Sequence, residues 1–98
     1  MIKFDKDVSA ALRTLEKAGF ETYAAGECVR DVLRGEEVYD WDLYTRASME
    51  DLTALFPDGQ APEKDEENFL RLDYTYEVKG KDEFDPDVIE GSILDIHP

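Results

Sequence analysis

Cationic residues are scarce in this chain: 11 lysines and arginines stand against 25 aspartates and glutamates, which gives a formal net charge of -14. Broad electrostatic binding to RNA or DNA needs clustered lysines and arginines, so this balance argues against it. The sequence also lacks an apolar run long enough to span a membrane, and its N-terminus lacks the apolar stretch of a secretory signal peptide. These absences predict a cytoplasmic protein with no membrane segment and no broad nucleic-acid surface.

Cysteine and histidine occur once each. The single Cys28 cannot form an internal disulfide, which fits a reducing cytosol. Its neighbours predict a small buried residue of a helix rather than a catalytic thiol, since no basic partner is evident. His97 lies next to the last residue, and we expect it to be solvated and to serve neither as a ligand nor as a base.

Hydrophobic spacing and turn residues predict helices packed on a small mixed sheet, an α+β fold. The 98 residues, 42% of them hydrophobic, suffice for one modest core, so we expect a single domain over residues 1–98. Gly19 and Gly35 would end the first two helices, and Ser48 with Asp51 resembles a capping box for the third. The predicted elements of this first part are helices at 8–18 and 28–33, strands at 20–25 and 38–45, and a helix that continues to Phe56.

The second part predicts a hairpin. Residues 69–78 alternate between apolar and polar side chains, which is typical of a half-buried strand, and they would pair with a final strand at 88–96, where Gly91 marks a bulge. Residues 60–68 are predicted to form a polar loop. The expected apolar face consists of Leu70, Leu72, Tyr74, Tyr76 and Val78, and the expected polar face of Arg71, Asp73, Thr75 and Glu77.

Asp40 and Asp42 flank Trp41 within the predicted strand at 38–45. Side chains on a strand alternate between its faces, so both carboxylates would share one face with Val38 and Tyr44 while Trp41 faces a core. Two such like charges repel each other unless something positive lies between them. Mg²⁺ bound by one or two carboxylates and by substrate phosphates is the usual solution, so the pair indicates a phosphate-handling metal site.

Residues 26–31, which read Gly-Glu-Cys-Val-Arg-Asp, follow a short apolar strand and begin a helix. Such a turn directs backbone N–H groups toward an anion. Together with the Asp-Trp-Asp run, the Leu-Tyr-Thr that follows it and the third helix, this segment resembles the head domain of class II nucleotidyltransferases. That family comprises tRNA CCA-adding enzymes and bacterial poly(A) polymerases. The resemblance covers about residues 12–56.

The resemblance implies a polymerase-beta-like fold and nucleotidyl transfer from a nucleoside triphosphate such as ATP, with a role in tRNA processing. Asp40 and Asp42 would be the catalytic residues and would hold two Mg²⁺ ions, while Gly26 and neighbouring amides would cradle the triphosphate. The nucleotide-binding positions would be Gly26, Glu27, Arg30 and Asp31. For Arg30 we consider two interactions equally: a contact to phosphate, or a local ion pair with Asp31 or Asp42 that stabilises the turn.

Two departures from the family pattern leave the function open. Glu27 occupies the position of the family's second glycine, where a carboxylate adds bulk and repels an anion. The family's neck and body, which select the base and hold RNA, lie beyond this chain, so an RNA acceptor would need another chain. The alternatives are an inactive relative that binds a protein partner, and an acidic mimic of nucleic acid. Candidates for a third carboxylate of the metal site are Asp73, Glu77, Glu90 and Asp95, each alone more typical of a surface charge.

Overall fold

The computed structural model describes residues 4–63 and 68–98, in which three helices accompany a four-stranded mixed sheet and a separate two-stranded ribbon. The elements are α1 (Lys6–Lys17), β1 (Thr22–Ala24), α2 (Glu27–Leu33), β2 (Asp40–Thr45), α3 (Met49–Leu55), β3 (Leu70–Asp73), β4 (Tyr76–Val78), β5 (Val88–Glu90) and β6 (Ile93–His97). The predicted α+β class is confirmed. No helix in these two described segments is long and apolar enough to cross a membrane.

The main sheet has the strand order β1-β2-β6-β3. The central pair β2 and β6 is parallel, whereas β1 and β3 pair antiparallel at the two sides. The helices contact this sheet from the face that carries the buried side chains, and the opposite face is left to solvent. The central buried residues are Val8, Ala11, Leu15, Leu43, Leu52, Leu70, Leu94 and Ile96.

The helix ends follow the capping residues that the sequence contains. Asp5 caps α1 by accepting the backbone N–H of Asp7 at 2.8 Å. Ser48 and Asp51 form the predicted capping box at the start of α3, with both reciprocal hydrogen bonds present. Caps of this type contribute about 1 kcal/mol each, so these short helices depend on them as well as on packing.

Cys28 is buried at 2% exposure, as predicted, and its thiol donates to the carbonyl of Ala25 at 3.3 Å. Leu33, the last residue of the helix predicted at 28–33, is 70% exposed because α2 ends there and the chain turns at Gly35. Val38 differs from the prediction. It packs against the core, since β2 begins only at Asp40 and the alternation does not extend back to it.

The predicted hairpin is present, but neither of its strands runs straight. β3 pairs with β6 and β4 pairs with β5, all antiparallel, so the expected pairing is confirmed and the expectation of two continuous strands is wrong. Both strands break at the same level. Asp73 accepts the backbone N–H of Thr75 at 2.8 Å, and opposite it Gly91 adopts φ +95°. The paired breaks turn β4 and β5 out of the main sheet.

This turn also overrides the predicted apolar face of residues 69–78. Leu70 and Leu72 are buried, whereas Tyr76 is 55% exposed and Val78 is exposed as well, so their assignment to the core is wrong. No helix lies over β4 and β5 in the described chain, and alternation alone could not reveal that. The predicted loop at 60–68 falls partly outside the described residues, although Gln60 pairs with Arg71 through two backbone hydrogen bonds of 2.8 Å.

Candidate functional site

Asp40 and Asp42 lie side by side along β2 on the open face of the main sheet, as the alternation predicted. Between and after them, Trp41 and Leu43 point into the core, at 3% and 0% exposure. Asp40 is exposed, and Asp42 is partly buried. Among the described residues, the carboxylate of Asp40 makes no hydrogen bond or ion pair. The strand thus presents the carboxylate of Asp40, which has no described partner, and the carboxylate of Asp42, which has one oxygen bonded to His97.

The turn between β1 and α2 lies beside Asp42. The backbone N–H of Ala25 donates to the carbonyl of Asp42 at 3.3 Å. The thiol of Cys28, in α2, donates to the carbonyl of Ala25. Gly26 caps α2 with φ +87°, a backbone conformation that residues other than glycine rarely adopt. The space that a Cβ would occupy there is open. The start of α2 and the Asp pair therefore belong to one region of the surface.

The remaining predicted nucleotide-binding residues follow in α2. Glu27 is its first residue and is exposed, so its carboxylate lies at the positive end of the helix. Arg30 is paired with Asp31, with 3.4 Å between Nε and Oδ1. This ion pair is one of the two interactions that the sequence analysis considered for Arg30. The other, a contact of Arg30 to phosphate, stays a prediction.

Asp95 is the candidate third carboxylate that the fold brings to the Asp pair. It lies directly opposite Asp42 in the β2–β6 register and opposite Arg71 in the β3–β6 register. Asp73 lies at the end of β3 and bonds to Thr75. The other two candidates, Glu77 and Glu90, belong to the β4–β5 ribbon.

Arg71 does not form its main contact with Asp73, two residues along the same strand. It makes a bidentate pair with Asp95 instead, with Nε 2.7 Å from Oδ1 and Nη2 2.9 Å from Oδ2. The hydrogen bond to Asp95 and its charge raise the pKa of Arg71, and the charges of Asp40 and Asp42 add to this effect. One guanidinium thus partly neutralises three carboxylates on the open face, which lowers the repulsion that the sequence predicted.

His97 is the residue that sequence reasoning missed. Its Nε2 lies 2.9 Å from Oδ1 of Asp42, and its ring stacks on Tyr44 at 4.6 Å, so the expectation of a solvated side chain is wrong. That His97 serves neither as a ligand nor as a base stays a prediction. A signal was available. Had the last predicted strand been extended by one residue, the alternation from Asp95 would have placed His97 on the same face.

Aromatic rings continue from His97 across the open face. Tyr44 also stacks on Tyr23 of β1, at 6.0 Å between ring centroids. On the other side, Phe69 lies 5.8 Å from the ring of His97, and the guanidinium of Arg71 lies 5.5 Å from the centre of the Phe69 ring. This row fixes the side chains that border Asp42 and limits their freedom.

The donor atoms fit a divalent metal that is completed by its substrate. Within residues 4–63 and 68–98, no group of three or more histidine, cysteine, aspartate or glutamate side chains is arranged to hold a metal ion. Mg²⁺ needs no such cage, because it is usually bound by one or two carboxylates together with phosphate oxygens and water. The free carboxylate of Asp40 and the second oxygen of Asp42 meet that description.

Comparison with known proteins finds related segments in nucleotidyltransferases, although no family model matches the chain. It is 47% identical over 49 residues to a CC-adding tRNA nucleotidyltransferase of Shouchella clausii, which covers 50% of this chain and 13% of that protein. It is 47% identical over 62 residues to a CCA-adding enzyme of Lactobacillus helveticus, with coverage of 57% and 16%. A Poly(A) polymerase I of Haemophilus influenzae is 34% identical over 53 residues, with coverage of 54% and 12%.

A solved structure resembles almost the whole chain. The crystal structure of the Bacillus stearothermophilus CCA-adding enzyme in complex with CTP matches 96% of this chain and 20% of its own, with a TM-score of 0.61 and 23% sequence identity. That match establishes the fold. The chain spans about one seventh of the length of the curated relatives it matches. Sequence and fold together show that this chain is partially related to the head domain of class II nucleotidyltransferases and has a nucleotidyltransferase-like fold.

Proposed function

We propose that this chain binds a nucleoside triphosphate together with Mg²⁺ at Asp40 and Asp42, and that it transfers a nucleotide to an acceptor held by another chain. The supporting observation is the Ala25–Asp42 backbone hydrogen bond of 3.3 Å, which joins the Gly26 turn to the Asp pair on an open sheet face. Carboxylates for a metal and a glycine turn for phosphates are the two parts that this chemistry needs.

In this proposal the protein mainly positions its ligands. When bound, divalent metal ions neutralise the triphosphate and align the attacking hydroxyl with the α-phosphorus. Asp40 and Asp42 would hold them, with Asp95 kept next to the site by its pair with Arg71. Gly26 leaves room for the phosphates, because nothing lies within 4 Å of the position its Cβ would take. The backbone amides that follow it would donate to phosphate oxygens.

The acceptor in this proposal is RNA, by similarity to the relatives, and it would not be held by this chain alone. The charge of -14 repels a polyanion. We therefore expect nucleotide binding without help, and transfer to RNA only when a second chain supplies the cationic surface that this one lacks.

An NMR titration of isotope-labelled protein, first with Mg²⁺ and then with each nucleoside triphosphate, tests the proposal. We expect shifts concentrated at residues 26–31 and 40–42, and a melting temperature that rises with Mg²⁺ by ligand linkage. The Asp40→Asn/Asp42→Asn variant should lose both responses. The matched control is Glu50→Gln/Asp58→Asn, which removes two exposed carboxylates away from the open face and should retain both.

Two results would contradict the proposal. One is nucleotide binding by Asp40→Asn/Asp42→Asn that equals binding by the parent. The other is the absence of any shift at millimolar Mg²⁺ and nucleotide. Labelled nucleotide incorporated into RNA by the purified chain would leave the site assignment intact and would overturn only the need for a second chain.

A second candidate function is that of an inactive relative that acts by binding a protein. One position and two contacts favour it. Glu27 lies at the start of α2, and the carboxylates of Asp42 and Asp95 are already paired with His97 and Arg71. Substitution of Glu27 separates the two functions. Under the first, Glu27→Gly should strengthen triphosphate binding, and Glu27→Gln, which keeps the bulk, should strengthen it less. Under the second, neither variant binds.

A further inference from the structure

A large groove lies between the β4–β5 ribbon and the start of α1, away from the open sheet face. Its volume is about 860 Å³, within the usual range for ligand and side-chain pockets. Trp41, which is almost fully buried, lies at its inner wall, and residues 35–39 before β2 also line it. The apolar residues that line this ribbon groove include Phe4, Tyr39, Trp41, Tyr76, Val88 and Ile89.

The ribbon that forms the outer wall has no cover within the described chain. Tyr76 is 55% exposed, Val88 43% and Ile89 66%, and Tyr39 across the groove is 56% exposed. A two-stranded ribbon alone is marginally stable in water. The molecule is extended, with a radius of gyration of 15.0 Å where about 13 Å is usual for a domain of this length. An exposed apolar wall of this kind is typical of an interaction surface.

The border of the ribbon groove is strongly acidic. One lysine, Lys6, also lines it. The hydrogen bond and charge of Glu90 raise the pKa of the Tyr76 phenol, and burial together with the charges of Asp5 and Asp7 adds to the rise, which reflects the negative field at this wall. The carboxylate residues on the border are Asp5, Asp7, Glu36, Glu37 and Glu90.

The inner wall also holds a polar group without a partner. The indole Nε1 of Trp41 is buried and makes no hydrogen bond to any described residue. Phe4 packs edge-on against the same indole, with 5.4 Å between ring centroids. A buried donor without an acceptor is destabilising.

We propose that the ribbon groove binds a cationic amphipathic segment of a protein partner. Its apolar side chains would lie against Tyr39, Val88 and Ile89, and its lysines or arginines would face the five carboxylates. A second copy of this chain fits poorly, because a symmetric contact would bring two such acidic borders together. A nucleic acid is excluded by the same charge. The groove is separate from Asp40 and Asp42, so this inference does not depend on the proposed catalysis.

The test uses the natural reporter at the inner wall, since Trp41 is the only tryptophan in the chain. The probes are two short peptides of leucine and lysine, one with leucines at helical spacing and one with alternating leucines, and matched peptides in which glutamate replaces lysine. We expect one of the lysine peptides to change Trp41 fluorescence saturably and to shift the NMR methyl signals of Val88 and Ile89. Added salt should weaken this binding, because it screens the attraction.

Matched variants assign the binding to the groove. Ile89→Ser should weaken it roughly tenfold, as expected for the loss of one buried aliphatic contact. Leu33→Ser is the apolar control, since Leu33 is 70% exposed but does not line the groove. Glu36→Gln/Glu37→Gln should weaken binding more than Glu16→Gln/Glu50→Gln, which removes the same charge elsewhere.

Several outcomes would overturn the inference. They include no saturable response to either lysine peptide, equal binding of a glutamate peptide, and equal effects of Ile89→Ser and Leu33→Ser. Sedimentation of the chain alone gives a further check. Dimers that Ile89→Ser dissociates and Leu33→Ser does not would assign the groove to a second copy in place of a cationic partner.

Discussion

His97 and Asp42 are bound to each other across the central parallel pair of strands, with 2.9 Å between Nε2 and Oδ1. They are 55 residues apart in sequence, so only the return of β6 beside β2 brings them together. The contact occupies one oxygen of a carboxylate that the proposed metal site needs. Tyr44 holds the imidazole in place through a stack with only 15° between the ring planes.

The first prediction concerns this contact. His97→Phe should keep the stack on Tyr44 and release Asp42, so Mg²⁺ should bind a few-fold more tightly while the free energy of unfolding falls by about 1 kcal/mol for the lost hydrogen bond. His97→Ala should release Asp42 equally and cost more stability, because the stack is lost too. Calorimetric Mg²⁺ titration and urea unfolding measure the two effects. Equal Mg²⁺ affinity in the parent and both variants would show that His97 does not compete for Asp42.

The second prediction concerns the only guanidinium placed among the described carboxylates of the open face. Arg71→Ala should lower the free energy of unfolding by about 1 kcal/mol, since the pair is partly exposed. It should also enlarge the stabilisation by Mg²⁺, because Asp40, Asp42 and Asp95 then lack their neutralising cation. Added NaCl should reduce the loss by screening the repulsion. Urea unfolding at low and high salt provides the measurement.

Arg46→Ala is the matched control for Arg71→Ala. Arg46 pairs with Glu21 at 3.1 Å, but both side chains are more than 70% exposed, and such pairs contribute little. If the two alanine variants lose the same stability and respond equally to Mg²⁺, the neutralising role of Arg71 is refuted.

The third prediction concerns acid stability at the break between β3 and β4. The hydroxyl and the backbone N–H of Thr75 both donate to Asp73, and these bonds hold the pKa of its carboxyl below the ordinary value of 3.8. A lowered folded-state pKa stabilises the fold above the unfolded value, and this contribution is lost as the pH falls through the lowered value. We therefore expect ionised Asp73 to add to the free energy of unfolding above about pH 4. This contribution should disappear as the pH falls below its lowered pKa.

Thr75→Val tests this, because it removes the hydroxyl donor with little change in shape. Carboxyl-carbon NMR should show the Asp73 pKa rise toward its ordinary value, and the loss of stability on acidification should become smaller. Thr53→Val is the control, because the Thr53 hydroxyl donates to the carbonyl of Glu50 and not to Asp73, and it should leave the Asp73 titration unchanged. An unaltered Asp73 titration in Thr75→Val would show that the hydroxyl does not stabilise the ionised form.

Much of the first part of the fold could be predicted from the sequence. The caps at Asp5 and Ser48, the turn at Gly26 and the alternation around Trp41 are local signals, and local signals determine where short elements begin and which side they bury. Asp40 and Asp42 were therefore placed correctly on an exposed face.

The second part was predicted less well because its structure depends on distant contacts. Tyr76 continues a clean alternation from Leu70, yet whether its face is buried depends on a covering layer that alternation does not encode. Arg71 has Asp73 two residues away, but its partner is Asp95, which only strand pairing brings within 2.7 Å. The partner of His97 likewise depends on strand pairing, since only β6 beside β2 brings it to Asp42, although alternation extended by one residue would have placed it on the correct face.

The fourth prediction concerns the paired break that turns the ribbon out of the sheet. It compares two glycines with similar φ angles. Gly91 has φ +95° and Gly19 has φ +91°, so alanine is strained at either position, by about 1–2 kcal/mol. They differ in their surroundings. A Cβ on Gly91 would lie 2.3 Å from the carbonyl oxygen of Tyr74, whereas a Cβ on Gly19 would meet nothing within 4 Å. Gly19→Ala should therefore show the strain alone.

Gly91→Ala should lose clearly more stability, because the Tyr74 carbonyl belongs to the opposite strand of the break and cannot move without disturbing the β3–β6 pairing. Tyr74 donates its backbone N–H to Ser92 at 2.9 Å, so we expect the amide signals of Tyr74 and Ser92 to shift and their hydrogen exchange to accelerate. Urea unfolding of both variants measures the difference. Equal losses in Gly91→Ala and Gly19→Ala would mean that φ alone requires glycine at residue 91 and that the close approach to Tyr74 does not define the bend.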